Sequence, residues 1–361
     1  MHLVAVSDSA VPSGAELVLL RALQAAARDG WTITCLVPDG PLSDDLAEAG
    51  FARRRIPELK LPAGRRPIAR MRLALRWVRV SRFLRRTSAG ADVVLCNSLL
   101  ALPSVRLARL RPPVAWLVHD VVVRGDRLRL ARWCAPAVRL AICVSGAVQE
   151  ALDSTGMATR VVHNGTPWPV EPVASEPPSP PVIGCNGMLT SWKGQDVLLE
   201  AVALIPQRDV VVDLMGGRFA KDGAYVDSLE ARADQPDLAG RVRFLGHVQD
   251  PMARMRGWTM AVSSSIEPEA GPLGMVEAMS VGLPLIATDH GGARELVGEA
   301  ALLVAPGHPG ALAGAIRQLL EDPGLRRGAD APGPAIVAAG LTLDDQLRRL
   351  LDTLTEVAGS R

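Results

Sequence analysis

Lysine is nearly absent from this chain, since Lys60, Lys193 and Lys221 are the only lysines among 40 basic residues. Arginine supplies the rest, a skew typical of a GC-rich genome, so a single arginine says less about function than a single lysine. The five cysteines form no CxxC pair, and several lie inside apolar runs such as "ITCLV". This pattern predicts buried free thiols in a reducing cytoplasm.

Motifs that would define several function classes are also missing. No GxGxxG follows the first predicted strand, and "GMLTSWKGQ" lacks the GK[ST] ending of a phosphate-binding loop. These absences argue against a dinucleotide dehydrogenase and a P-loop NTPase. The six histidines show no ligand spacing, so we expect neither a metal nor a cofactor. We expect no nucleic-acid partner either.

The sequence also lacks any apolar run that is long enough to span a bilayer. Met1-His2-Leu3 leads into a predicted strand without the pattern of a signal peptide, so we expect a cytoplasmic protein. The chain is 48% hydrophobic and 22% charged, as in ordinary folded proteins.

The charge is divided unevenly along the chain. Residues 1–171 contain 24 basic and 14 acidic residues, whereas residues 172–361 contain 16 and 24. A chain of 361 residues is expected to form two domains. Opposite net charges would suit two domains that face each other across a cleft.

Short apolar runs alternate with helical patterns, which predicts an α/β fold with two doubly wound, Rossmann-like sheets. Five strands are predicted in the first half of the chain and six in the second. The segment "TPWPVEPVASEPPSPP" between them contains seven prolines and cannot be helical. We predict an N-terminal domain over 1–168, a linker over 169–181, a C-terminal domain over 182–340 and, over 341–361, a helix that could pack back on the first domain.

Two polar motifs follow predicted strands in the first half. In "VPSGAELVLL", Ser13 and Gly14 open a helix whose free N–H groups could bind a phosphate or a sugar oxygen, although a simple N-cap also explains Ser13. "WLVHD" places His119 and Asp120 at the carboxyl end of a central strand, where doubly wound sheets bind ligands. A functional and a structural reading of this pair both remain open.

Two motifs in the second half carry more chemistry. In "GMLTSWKGQDVLLEA", Lys193 lies where a helix begins and could meet a pyrophosphate, with a surface lysine as the alternative. In "EPEAGPLGMVEAMSVGLP", Glu269 precedes a helix that Pro272 opens, and Glu277 lies within that helix. A helix N-terminus favours an anion, and carboxylates accept hydrogen bonds from hydroxyls. A diphosphate flanked by polyols, as in a nucleotide-sugar, fits this combination.

These residues resemble the retaining glycosyltransferases of the GT-B fold, specifically family four. "EAGPLGMVEAMSVGLPLIATDHGGARELV" is similar to the E-x7-E signature and its continuation. Supporting matches are "SGAE", "ICVSGAV", "VVHNG", "WKGQDVLLEA" and "VRFLGHV". By this resemblance Lys193 would meet the diphosphate, Glu277 the ribose and Glu269 the donor sugar. His119 would contact the transferred sugar. The resemblance also places backbone groups at the donor, namely those of Gly14, Gly271, Leu273 and Gly274.

Two positions depart from the family pattern. Met188 stands where the family often has a second phosphate-binding arginine, so Lys193 would act more alone or with help from Arg218 or Arg294. Gly271-Pro272 replaces the frequent "FG" and removes one N–H donor. Ser13 and Asp120 are further candidate helpers.

The resemblance implies a hexosyltransferase-type reaction with a UDP- or GDP-sugar, retention by front-face attack and no metal. The acceptor would be a lipid-linked molecule or a small one, as in actinobacterial specialised metabolism. The Arg-rich segment 65–86 could contact the inner face of a membrane, or it could be an ordinary surface helix. A nucleotide-sugar epimerase, a pseudo-glycosyltransferase and a non-catalytic partner remain alternatives, and the oligomeric state is left open.

Overall fold

A computed structural model describes residues 1–60, 67–121, 125–173, 176–207, 209–218, 222–330 and 332–360. Parts of the predicted Arg-rich segment (65–66), linker (174–175) and C-terminal segment (361) lie outside these residues, as does Lys221. The chain divides into two compact units. Unit 1 comprises Met1–His163 with Gln346–Arg361, and unit 2 comprises Asn164–Asp345.

Unit 1 is built on a parallel sheet in the order β3-β2-β1-β4-β5-β6-β7. Its strands are β1 (His2–Val6), β2 (Thr32–Val37), β3 (Ala52–Arg55), β4 (Val93–Cys96), β5 (Val114–Val118), β6 (Leu140–Cys143) and β7 (Thr159–Val161). Its helices are α1 (Gly14–Arg28), α2 (Pro41–Glu48), α3 (Pro67–Thr87), α4 (Leu102–Ala108), α5 (Gly125–Cys134) and α6 (Gly146–Leu152).

Unit 2 has a second parallel sheet in the order β10-β9-β8-β11-β12-β13. The strands are β8 (Val182–Asn186), β9 (Val211–Met215), β10 (Val242–Gly246), β11 (Met260–Ser263), β12 (Leu285–Thr288) and β13 (Ala301–Val304). The helices are α7 (Gln195–Ala203), α8 (Gly223–Ala233), α9 (Pro251–Met255), α10 (Leu273–Ser280), α11 (Ala293–Val297), α12 (Pro309–Glu321), α13 (Pro323–Asp330) and α14 (Pro332–Ala338). The last helix, α15 (Leu343–Gly359), belongs to unit 1 from Gln346 onward.

Both sheets arise because buried strands alternate their side chains between two helix-covered faces. In β12, Ile286 packs into one core cluster of unit 2, whereas Leu285 and Ala287 pack into the other. Near-continuous apolar runs therefore become central strands. The predicted α/β class with two Rossmann-like domains is confirmed.

The chain passes from unit 1 to unit 2 between His163 and Asn164. Residues 164–168 belong to unit 2 because Asn164 Nδ2 donates to the Gly271 carbonyl at 2.7 Å and Thr166 pairs with Thr342. The described part of the Pro-rich segment also packs on unit 2, with the Val173 N–H donating to the Val281 carbonyl at 2.8 Å.

Helix α3 has an apolar face that the unit does not cover. Leu73, Val80 and Leu84 are buried, while Ile68, Met71, Leu75 and Val78 are exposed, with Leu75 at 62%. None of the helices among the described residues has both the length and the apolar character needed to cross a bilayer.

Candidate functional site

Strand order reverses at one place in each sheet, between β1 and β4 in unit 1 and between β8 and β11 in unit 2. In doubly wound sheets ligands bind outside the carboxyl ends of the strands at such a point. The segments that leave β8 and β11 contain Lys193 and Glu269. Topology therefore brings together two residues that are 76 positions apart.

Lys193 and Glu269 form an ion pair within unit 2 between Nζ and Oε2. Glu269 is only 5% exposed, and its Oε1 accepts from the hydroxyls of Ser265 and Ser263, the latter at 3.3 Å. Lys193 also lies over the Trp192 ring, with Nζ 4.5 Å from the ring centre. A buried carboxylate is tolerated here because a cation and two hydroxyls satisfy it.

Opposing effects set the pKa of Glu269. Burial alone would raise it, but the charge and hydrogen bond of Lys193, with the two serine hydroxyls, outweigh burial and lower this pKa below its ordinary value. Glu269 therefore stays ionised at neutral pH and keeps its capacity to accept hydrogen bonds.

Glu277 lies on α10 and is 7% exposed. Its Oε2 accepts a 2.8 Å hydrogen bond from Asn186 Nδ2, at the last residue of β8. Gly274 lies against the same residue, because a Cβ there would be 2.9 Å from the Asn186 carbonyl oxygen. The first turn of α10 therefore packs directly on the strand end, and the N–H groups of Leu273 and Gly274 at its start have no acceptor within the helix.

The loop before α10 is held from two directions. The Gly271 carbonyl accepts from Asn164, and the Glu269 carbonyl accepts from the Gly292 N–H at 2.8 Å. Gly291 has a φ of +58°, and a Cβ there would lie 2.3 Å from the Glu269 carbonyl oxygen. Only glycine permits this approach, so the loop after β12 fixes the backbone of Glu269.

The candidate helper cations of unit 2 are paired with carboxylates. Arg218 donates to Asp227 and Glu230, both at 3.1 Å, and Arg294 pairs with Asp289. Met188 is partly buried and its carbonyl accepts from Gln195 Nε2 at 2.8 Å. The backbone of Arg218 pairs with that of Leu189, next to Met188, so this arginine lies at the same strand end.

Unit 1 contains a cavity of about 300 Å³ at its own strand-order reversal. His119 follows β5 and Asn97 follows β4, and the His119 Nε2 and Asn97 Oδ1 are 2.9 Å apart. Burial lowers the pKa of His119 to about 4, so the ring is neutral at pH 7. Because a carboxamide oxygen only accepts, His119 Nε2 donates this bond.

Carboxylates form much of the remaining wall, from Asp8, Glu16 and Asp120. Burial raises the pKa of Asp8 to about 6, assisted by the charges of Glu16 and Asp120. The pKa of Glu16 is also raised, chiefly by burial. Glu16 caps α1 as well, because its Oε2 accepts from the Ser13 hydroxyl and from the Ser13 N–H at 3.1 Å.

The structure thus gives Ser13 a capping role and leaves Gly14 exposed at the start of α1. Asp120 is exposed and lines the cavity. Sequence reasoning missed Asp8, Glu16, Asn97 and Asn186. Each asparagine had a signal in the sequence, because Asn97 directly follows and Asn186 ends an apolar run of the kind that predicts a strand.

Sequence reasoning also missed His290, which follows β12. Its Nε2 lies 2.7 Å from the Ser265 carbonyl oxygen, so it supports the same loop whose serine holds Glu269. Its buried Nδ1 has no hydrogen-bond partner among the described residues. By contrast, Asp213 is fully buried but matched by Arg243, Arg254 and the Trp258 indole, which marks it as a structural carboxylate.

Comparison with known proteins shows both the family of this chain and a solved structure with a similar fold. Residues 171–331 match the family model described as "Glycosyl transferases group 1", and residues 12–167 match the one described as "Glycosyltransferase Family 4". This chain belongs to the family 4 type of glycosyltransferases. Together the two matches cover most of the chain, including Lys193, Glu269 and Glu277.

Two relatives match in part. The lipopolysaccharide core biosynthesis mannosyltransferase LpsB of Rhizobium meliloti is 28% identical over 48% of this chain and 51% of its own length. A GDP-mannose-dependent monoacylated alpha-(1-6)-phosphatidylinositol monomannoside mannosyltransferase of Corynebacterium glutamicum is 32% identical over 48% of this chain and 47% of its own. The chain therefore spans about half the length of the curated relatives it matches.

A solved structure matches over the whole chain. HepE of Anabaena, crystallised in complex with UDP and glucose, has a TM-score of 0.84 and 25% identity, covering 99% of this chain and 100% of HepE. The two parallel sheets with reversed strand order are those of the GT-B fold.

Proposed function

We propose that the glycosyltransferase moves a sugar from a nucleoside-diphosphate sugar to an acceptor hydroxyl with retention of configuration. The observation that supports this most is the Lys193–Glu269 ion pair of unit 2, in which Glu269 is buried and lies four residues before α10 begins. HepE, a neighbour in fold, was crystallised with UDP and glucose. A cation, a helix N-terminus and two carboxylates suit a diphosphate flanked by hydroxyl-bearing rings.

Each group of unit 2 has a proposed role in this reading. Glu277 accepts hydrogen bonds from the ribose hydroxyls, and Glu269 accepts them from the donor sugar. The amides of Leu273 and Gly274 bind the distal phosphate or the sugar. Lys193 Nζ carries three protons, so it can donate to the diphosphate while it remains paired with Glu269.

The proposed reaction needs no base from the protein. The bond between the anomeric carbon and the leaving phosphate oxygen breaks, and the acceptor oxygen bonds to that carbon on the same face. The acceptor proton passes to the departing phosphate, so charge and atoms balance. Lys193 and the dipole of α10 stabilise the negative charge of the leaving group without requiring a metal ion. We expect EDTA to leave the rate unchanged.

Nucleotide binding tests the donor site directly. UDP, GDP, ADP and TDP are screened by thermal shift, and the best of them is titrated by calorimetry. We expect Glu277→Gln to weaken its affinity about tenfold, since one charge-assisted hydrogen bond is weakened. The matched control is Glu48→Gln on the exposed surface of α2. Equal affinity in Glu277→Gln and the wild type would refute the ribose assignment.

Turnover then separates the remaining readings of the same fold. A glycosyltransferase consumes a nucleotide-sugar only when an acceptor is present, apart from slow hydrolysis. An epimerase converts the nucleotide-sugar without any acceptor, and a non-catalytic protein binds it without turnover. Product analysis of the anomeric linkage by NMR distinguishes retention from inversion.

We also propose that α3 attaches the glycosyltransferase to the inner face of an anionic membrane, where lipid-linked acceptors are found. Its exposed apolar stripe consists of Ile68, Met71, Leu75 and Val78. Seven arginines and no acidic residue accompany that stripe on α3. Apolar insertion combined with arginines suits anionic lipid. The names of the two curated relatives, which refer to lipopolysaccharide and to a phosphatidylinositol mannoside, support a lipid-linked acceptor.

Liposome sedimentation tests this attachment. We expect binding to vesicles with anionic lipid, weaker binding to neutral vesicles, and loss of binding at high salt. Leu75→Ser should reduce binding, whereas Leu204→Ser changes an equally exposed leucine of unit 2 and should not. Salt-independent binding, or no binding, would contradict the proposal.

A further inference from the structure

The cavity of unit 1 is lined by the buried carboxamide of Asn97. Asn97 is 3% exposed and lines the cavity, and its Nδ2 has no hydrogen-bond partner among the described residues. Its Oδ1 is already occupied by His119 at 2.9 Å. A buried N–H donor without an acceptor is costly, so this amide is arranged for an oxygen that a ligand brings.

The charges around that amide are mainly negative. Asp8, Glu16 and Asp120 line the cavity, with Arg127 as the cation among the described lining residues. His119 adds no charge at neutral pH, because burial lowers its pKa to about 4. The serine hydroxyls of Ser9, Ser13 and Ser98 complete the polar part of the wall. The wall therefore offers acceptors to hydroxyl and ammonium donors, while like charge opposes a phosphate.

We propose that this cavity receives the acceptor as an uncharged or aminated polyol, and that it rejects acceptors with a phosphate beside the reacting hydroxyl. The proposal rests on the proposed glycosyl transfer and adds the acceptor class to it. Hydroxyls donate to Asp8 and Glu16, and a hydroxyl oxygen accepts from Asn97 Nδ2. A volume of about 300 Å³ suits a single ring, at the small end of ligand pockets.

The aminated version has a further physical basis. An ammonium group offers three donors to a wall rich in carboxylates, and it offsets their mutual repulsion. A phosphate carries acceptors only, so it would leave the carboxylates unpaired and add to the repulsion. The same carboxylates are therefore expected to bind an ammonium group and to repel a phosphate group.

Ligand-observed NMR on the full chain with saturating nucleoside diphosphate tests the proposal. The probes are glucose, glucosamine and glucose 6-phosphate. We expect glucose and glucosamine to bind, with glucosamine the tighter, and glucose 6-phosphate to bind at least about tenfold more weakly than glucose. Glucose 6-phosphate binding as tightly as glucose overturns the proposal, and so does failure of both uncharged and aminated probes to bind.

Variants assign the binding to these residues. Asn97→Asp keeps an acceptor for His119 but removes the free donor, so glucose affinity should fall about tenfold while glucosamine affinity is retained. Asn97→Ser serves as the second variant where Asn97→Asp does not fold. Asp8→Asn should reduce the difference in affinity between glucose and glucose 6-phosphate. The control Glu48→Gln, at an exposed position of α2, should leave that difference unchanged. Unchanged selectivity in Asp8→Asn contradicts the proposal.

Donor binding distinguishes this failure from a failure of the proposed function. If no nucleoside diphosphate stabilises the chain, the proposed donor site in unit 2 is wrong. If a nucleoside diphosphate binds and its sugar is transferred preferentially to phosphorylated acceptors, only the acceptor class is wrong.

Discussion

The carboxylates at the two strand-order reversals experience different surroundings. In unit 2, Glu269 has a partly buried cation and two hydroxyls as partners, and its pKa is lowered. In unit 1, Asp8 and Glu16 are largely removed from solvent and lie near other carboxylates, so their pKa values are raised. The same topology therefore gives two different sites. In unit 2 the ionised Glu269 carboxylate is balanced by a cation, whereas the site in unit 1 favours neutral or cationic ligands. Among the described residues, Lys193 pairs with Glu269 in unit 2, whereas burial and neighbouring carboxylates raise the pKa values of Asp8 and Glu16 in unit 1.

The largest effect is expected from removing that lysine. Lys193→Met leaves Glu269 buried without its cation, so the free energy of unfolding should fall by about 3–5 kcal/mol. Glycosyl transfer should fall about 100- to 1,000-fold, because the leaving group loses its charge partner. Urea unfolding and initial rates measure the two effects.

A double variant separates stability from catalysis. Lys193→Met with Glu269→Gln removes both charges and should recover most of the stability but none of the transfer. The control is Lys60→Met, whose exposed pair with Glu58 should contribute at most about 1 kcal/mol. Wild-type transfer rates in Lys193→Met would show that unit 2 does not need its cation.

A smaller effect is expected from Gly291→Ala. The new Cβ would lie 2.3 Å from the Glu269 carbonyl oxygen, at a φ of +58°. We expect a loss of about 2–3 kcal/mol of stability and a weaker affinity for the nucleotide-sugar. Gly314→Ala on α12 meets nothing within 4 Å, so it should be neutral or stabilising. A folded Gly291→Ala variant with unchanged affinity would show that this loop does not position Glu269.

The smallest effect is a difference in pH dependence. Asp8 has a folded pKa of about 6 against an ordinary value of 3.8, so its contribution to stability is fully present below 3.8 and is lost as pH rises through 6. Glu269 has a lowered pKa, so its contribution is present above 4.5 and is lost as pH falls through the folded value.

Asp8→Asn tests this difference. The variant should lack the loss of stability between about pH 4 and pH 6, which for the wild type is on the order of 2 kcal/mol. Denaturant unfolding at half-unit pH steps compares the two proteins. Parallel curves for variant and wild type over that interval would show that Asp8 is not held protonated by the fold.

Sequence patterns predicted the buried strands because apolar runs decide them. They did not predict β3, whose "ARRR" side chains are exposed, since an edge strand needs only backbone pairing with β2. The domain and linker bounds stay predictions, and the contacts of Asn164 and Thr166 with distant segments decide that this stretch belongs to unit 2.

The same limit applies to the sites. Lys193, Glu269 and Glu277 could be singled out because a charge in an apolar, glycine-rich motif is conspicuous by itself, and their roles stay predictions. Asp8, Asn97 and His119 could not be grouped, because their proximity depends on the order β1-β4-β5 and not on spacing. The charge balance of each site therefore had to come from the structure.

We propose that the nucleotide binds to unit 2 and that an acceptor without phosphate binds to unit 1. Hydrogen exchange of the full chain, with UDP or GDP and with glucosamine, tests it most directly. The nucleotide should protect peptides covering 187–195 and 264–277, and glucosamine should protect those covering 8–16 and 97–98. Protection of the same unit by both ligands would contradict the account.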